Sequence, residues 1–150
     1  MTARYFMDHY FPVLFPFFFL GIWLLFSFLI SRMGGWHLLA RPFRTDLPFS
    51  SEVWRFQSAQ MRWAANYNNC LTVGAGPEGL YLAVWLIFRF GHRALLIPWS
   101  EIRVRRIEGV FDGSYILTLG REAQVPLRIR GKLGKKLHAA AGTYWPVEET

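Results

Sequence analysis

The chain has a single cysteine, Cys70, so no internal disulfide can form. A lone thiol suits a reducing compartment. Metal-ligand spacing is also missing. The four histidines, His9, His37, His92 and His138, make no H-x-x-x-H pair, and no C-x-x-C is present. Carboxylates are few, ten Asp and Glu against 17 Lys and Arg, for a net charge of +7. Glu101, Glu108 and Asp112 lie scattered among arginines, where surface ion pairing is expected rather than acid–base catalysis. Cys70 stands in an apolar run, which predicts an inert core thiol and no nucleophile. These absences exclude the common catalytic constellations. The expectation is a non-enzymatic protein with no catalytic residue, no cofactor and no metal.

Apolar side chains are abundant. They make up 53% of the chain, and aromatics alone make up 18%. Their distribution is uneven. From Tyr10 to Ile30, "YFPVLFPFFFLGIWLLFSFLI", 21 residues carry no charge. A helix of that length spans the roughly 30 Å hydrocarbon core of a bilayer. The run is too long for a signal-peptide core and offers no small-residue cleavage site. It predicts a transmembrane helix beginning near Pro12 or Pro16, with Tyr5, Tyr10 and Trp36 at the interfaces and Trp23 in mid-membrane.

Arg4 and the amino terminus precede the span with Asp8. Arg32, Arg41 and Arg44 follow it against Asp46 alone. The positive-inside rule then places the C-terminal portion in the cytoplasm. Three parts are expected: a transmembrane anchor over 1–33, an amphipathic turn and linker over 34–52, and a β domain over 53–150. "WHLLARPF" supplies the amphipathic turn, stopped by Pro42.

Beyond Ser51 short extended runs alternate with turns. "LYLAVWLIF" is rich in strand formers, with Trp85, Tyr81 and the later Trp99 expected in the core. Asp112-Gly113 signals a hairpin ahead of "SYILTL". Val125, Leu127 and Ile129 alternate with Arg128 and Arg130. "GKLGKKLHAAAGTYW" is the one helical pattern after the linker, with Leu133, Leu137 and Ala140 on a shared face and Gly142 as a stop. The fold class is therefore α+β: one N-terminal helix, then a small antiparallel bent sheet or open barrel of about seven strands, then a C-terminal helix.

"LTVGAGPEGLYL" contains G-x-G-x-x-G at Gly74, Gly76 and Gly79. A dinucleotide fold would need a helix to start there and further βα units after it. "LYLAVWLIF" has no polar face, Glu78 would repel a pyrophosphate, and the remaining chain is too short. A hairpin turn is expected instead.

Basic side chains form the candidate contact surface. Arg103 and Arg105 share a strand face. Lys132, Lys135 and Lys136 stand at helical spacing. His92 and Arg93 lie in a loop with Arg89, whose charges are expected to depress the histidine's pKa. Near a membrane, such groups attract anionic lipid headgroups at about 1 kcal/mol per charge. Nucleic acid is not the expected partner, because the aromatics lie in apolar strands and are not interleaved with the basic residues.

The stretch "YNNCLTVGAGPEGLYLAVWLIFRFGHRALLIPWSEI", with "GW..LA" at Gly35, Trp36, Leu39 and Ala40, resembles uncharacterised bacterial single-pass membrane proteins. Its order of strand, glycine turn, "GLYL" and "IPWSEI" is similar to bacterial pleckstrin-homology-like domains. The resemblance covers roughly residues 56–143 and implies a seven-stranded bent sheet capped by a C-terminal helix, with no activity attached. The combined expectation is a bacterial inner-membrane binding or scaffold protein with its domain on the cytoplasmic face. The alternative is a small accessory subunit packing its aromatic helix on a membrane partner.

Overall fold

A computed structural model describes residues 2–62 and 65–149. Helix α1 runs from Thr2 to Gly34 and is long and apolar enough to cross a membrane. At 1.5 Å per residue it extends about 50 Å. It passes through Pro12 and Pro16, both inside the helix and not at its start. Gly35, at φ 82°, turns the chain in the left-handed region and separates α1 from α2 (Trp36–Phe43). Gly34 lies where a Cβ would overlap Ala65. The two glycines thus bring the end of α1 onto the β domain.

That domain is one curled, half-barrel sheet of eight strands in the order β4-β3-β2-β1-β7-β6-β5-β8. The strands are β1 (Glu52–Met61), β2 (Ala65–Gly76), β3 (Gly79–Val84), β4 (Leu95–Ile97), β5 (Ile102–Ile107), β6 (Ser114–Leu119), β7 (Val125–Arg130) and β8 (Glu148–Glu149). Neighbours pair antiparallel except β5 with β8, which run parallel. Helix α3 (Gly131–Ala141) ends at Gly142, as the sequence predicts. The architecture is α+β, as expected.

Alternation explains the inner face. Leu71, Val73, Leu80, Leu82, Leu117 and Leu127 are fully buried, while Arg103, Arg105 and Arg128 face outward. Leu133, Leu137 and Ala141 pack α3 onto this core, with Ala140 only partly buried. Helix α2 fills it from the other side, because Trp36 and Leu39 have no exposed surface. Trp36 is therefore a core residue and not an interfacial anchor. The stretch 34–52 opens with a core helix, and only the segment after Phe43 has linker character.

The glycine motif forms the β2–β3 hairpin. Gly76 pairs with Gly79 across Pro77 and Glu78. Gly79 sits at φ 144°, where a Cβ would overlap the Ile97 carbonyl. The Gly76 carbonyl accepts a 2.7 Å hydrogen bond from Trp99 Nε1. No helix begins at this turn, so it presents no helix terminus to a phosphate.

Strand β3 stops at Val84 instead of running to Phe88. Residues 85–94 form a loop with a 3-10 turn at Leu86–Phe88. Its apolar content reads as strand, but its side chains are spent elsewhere.

Candidate functional site

Helix α1 is exposed along most of its length, yet Ser27 and Ser31 are buried. Together with Trp23 they stand at i, i+4 and i+8, one above another on a single face. That face holds the β3–β4 loop. Trp23 Nε1 donates to the Ile87 carbonyl at 3.1 Å. The Ser27 hydroxyl reaches the carbonyls of Phe88 (3.1 Å) and Phe90 (3.0 Å). Ser31 donates to the Gly91 carbonyl. Trp36 Nε1, in α2, donates to the Arg93 carbonyl at 2.8 Å. Five loop carbonyls thus face four donors on the two N-terminal helices, the Ser27 hydroxyl being shared between two of them. Four of the loop's amides are held internally or by the sheet: Trp85 N–H by Cys70 O, Phe88 N–H by Trp85 O, Arg89 N–H by Leu86 O and His92 N–H by Arg89 O.

Satisfying the backbone on the inside leaves the loop's outer side apolar. Trp85, Leu86, Ile87 and Phe90 are each half-exposed or more. Trp85 is not the core residue its composition suggests. Phe88 faces inward against Trp23, with ring centroids 5.1 Å apart, and Phe28 meets Phe90 at 6.4 Å. Phe56 joins the patch from β1. Pairing of β1 with β2 is irregular between Trp54 and Gln57, and Phe56 lies at φ 56°. A bulge re-aims its residue. Here it directs an exposed phenylalanine edge-on to Trp85, at 6.2 Å.

His92 lies under this loop and is 2% exposed. Its Nδ1–H donates to the Phe90 carbonyl at 3.2 Å, and Nε2 accepts from the Tyr67 hydroxyl at 2.9 Å. Burial lowers its pKa, with the Phe90 and Phe88 backbone opposing. The expected cause, charge from Arg89 and Arg93, is not the one at work. Burial also raises the Tyr67 phenol, which stays protonated as the donor. His92 is a structural pin and does not face outward to an anion; Arg93 beside it is exposed.

The other predicted residues lie apart from this pair. Arg103 and Arg105 are exposed on β5, towards the opposite edge of the sheet from β3 and β4. Lys132, Lys135 and Lys136 are exposed on the outer face of α3, and Lys135 is 3.7 Å from Asp112. Lys132 also borders an open recess of about 720 Å³ together with Arg128, Arg130, Glu108 and Asp112. Glu101 pairs with Arg121 at 3.6 Å.

Two basic groupings were not foreseen. Arg32, Arg41 and Arg62 come from α1, α2 and the β1–β2 turn to surround His37, and their charges add to burial in lowering its pKa. A recess of about 340 Å³ beside the apolar patch is lined by Arg55 and Arg89, with no carboxylate among its lining residues. Arg89 Nε donates to the Val84 carbonyl, which turns its side chain back along β3. Only the side-chain identities of Ser27 and Ser31, polar in an apolar run, signal any of this in the sequence.

Cys70 is half-buried on β2, and burial pushes its thiol pKa up, the reverse of an activated nucleophile. Among the described residues, no three His, Cys, Asp or Glu side chains are grouped to hold a metal ion. No protein-family model, curated protein or solved structure matches the chain.

Proposed function

We propose that the protein is a membrane-anchored, non-enzymatic binding or scaffold protein. Helix α1 crosses the inner membrane of a bacterium, and the β domain lies on the cytoplasmic side. The observation that carries this reading is the ladder from Trp23 to Trp36, which ties the domain to the end of an apolar helix without a hinge. A domain held in that way works at the membrane surface and does not range from it on a tether. Arg32, Arg41, Arg62, Arg55, Arg89 and Arg93 lie close to the helix end and the loop it carries, and they suit anionic headgroups. Arg103, Arg105, Lys132, Lys135 and Lys136 lie on other faces and suit headgroups or an acidic partner. A pleckstrin-homology-like identity is supported by β1–β7 with the closing α3; β8 adds an edge strand.

The accessory-subunit reading is favoured by one feature. Phe11, Phe15, Phe19 and Trp23 form a continuous row of ring contacts along α1, with centroids 5.4–6.2 Å apart. Such a row offers a partner helix a shaped surface.

Purification of the full chain from its membrane in mild detergent separates the two. The binding-protein reading expects anionic phospholipid and no stoichiometric membrane protein. A stoichiometric partner establishes the subunit reading. A C-terminal reporter active in the cytoplasm supports the orientation, and periplasmic activity overturns it.

A further inference from the structure

We infer that the β3–β4 loop is a second membrane-embedded element, inserted into the same leaflet as the C-terminal third of α1, with Phe56 beside it. The inference rests on the reading of α1 as a membrane span. The occupant of the apolar patch is lipid.

Depth is the first argument. Arg32 ends the charge-free run and belongs at headgroup level. Trp23, which holds Ile87, stands nine residues earlier. That is about 13 Å along the helix. A headgroup layer occupies only about 5–7 Å on each side of the hydrocarbon. Leu86 and Ile87 therefore reach the acyl chains. The loop clears the hydrocarbon only if α1 slides outward, and that draws Asp8 and Arg4 into it. The registry of charges opposes such a slide.

Backbone satisfaction is the second. Irregular backbone enters a bilayer only where its polar groups are paired with protein. Here five carbonyls face the donors of Trp23, Ser27, Ser31 and Trp36, with the one Ser27 hydroxyl proton shared between two of them, and the amides of Trp85, Phe88, Arg89 and His92 are bonded within the domain. The loop's carbonyls face the helices, and the side chains of Trp85, Leu86 and Ile87 stay exposed.

Third is the placement of Arg89, the charge nearest Leu86 and Ile87; the loop's other arginine, Arg93, lies at its far end. Arg89 turns back towards Val84 and Tyr81, bordering both recesses next to the loop. Its guanidinium reaches headgroup level while its stem lies on apolar surface. The left-handed Phe56 adds an aromatic side chain to the patch from a separate strand.

The test uses the full chain in phosphatidylcholine–phosphatidylglycerol liposomes. In a Cys70→Ser background, an environment-sensitive fluorophore is placed singly by Leu86→Cys, Phe15→Cys or Phe111→Cys. Leu86 and Phe111 are strongly exposed, so labelling them leaves the core intact. The expected result is quenching at 15 and 86 by lipids spin-labelled in the acyl chain, and quenching at 111 by aqueous iodide alone. Label 86 behaving like label 111, while label 15 is lipid-quenched, overturns the insertion and spares the span. Label 15 open to iodide overturns the span itself and the insertion with it. Label 86 shielded from both quenchers means that a protein covers the patch, which also overturns the proposal.

Discussion

The side chains that matter most on this helix are the least hydrophobic ones. Ser27 and Ser31, themselves buried, supply hydroxyls to the carbonyls of Phe88, Phe90 and Gly91. A buried acceptor left unpaired costs about 1–3 kcal/mol. Ser27→Ala with Ser31→Ala is expected to lower the unfolding free energy by about 2–4 kcal/mol, within that range per group, measured by denaturant melts in detergent. His92 gives a pH signature. Its folded pKa lies below the ordinary value of about 6.5, so between the two values the unfolded chain binds more protons. The stability from the neutral imidazole is complete above about pH 6.5 and is lost as pH falls below it. Thermal melts from pH 7.5 downward are expected to show a falling Tm below about pH 6.5 that is flattened in His92→Asn. An unchanged slope in the variant assigns the effect to another group.

At the scale of elements, two positions at positive φ give opposite expectations. Phe56 occupies the left-handed region at a cost of about 1–2 kcal/mol for an L-residue. Phe56→Gly is therefore expected to raise the stability of the fold in detergent by about 1 kcal/mol. Gly79→Ala is expected to lower it by more than about 2 kcal/mol, because φ 144° is closed to alanine and the Ile97 carbonyl occupies the Cβ position. Equilibrium unfolding reads both. The hairpin and α3 were legible because glycine, proline and period-3.6 spacing are local signals. The loop at 85–94 was not, since "WLIFRF" has the composition of a buried strand. Its exposed side is apolar, and the pairing of its backbone comes from residues about 60 positions away. For the same reason the basic candidates were legible only as clusters along the chain. Arg32, Arg41 and Arg62 converge only through the fold.

For the molecule as a whole, helix and domain are one unit. The expected boundary at residue 53 divides a core to which Trp36 and Leu39 contribute fully buried side chains. A fragment of residues 45–150 is expected to lose cooperative unfolding, read by near-ultraviolet circular dichroism, whereas the full chain keeps it. Loss of a large core side chain alone costs about 3–5 kcal/mol, comparable with the stability of a small domain. The central claim is that the loop is clasped to α1. Hydrogen exchange of the full chain in nanodiscs tests it most directly. Amides of Phe88, Arg89 and His92 are expected to exchange far more slowly than those of the β5–β6 loop at 108–113. Ser27→Ala with Ser31→Ala should release them while α3 stays protected. Exchange at 88–92 as fast as at 108–113 in the unmodified protein contradicts the account.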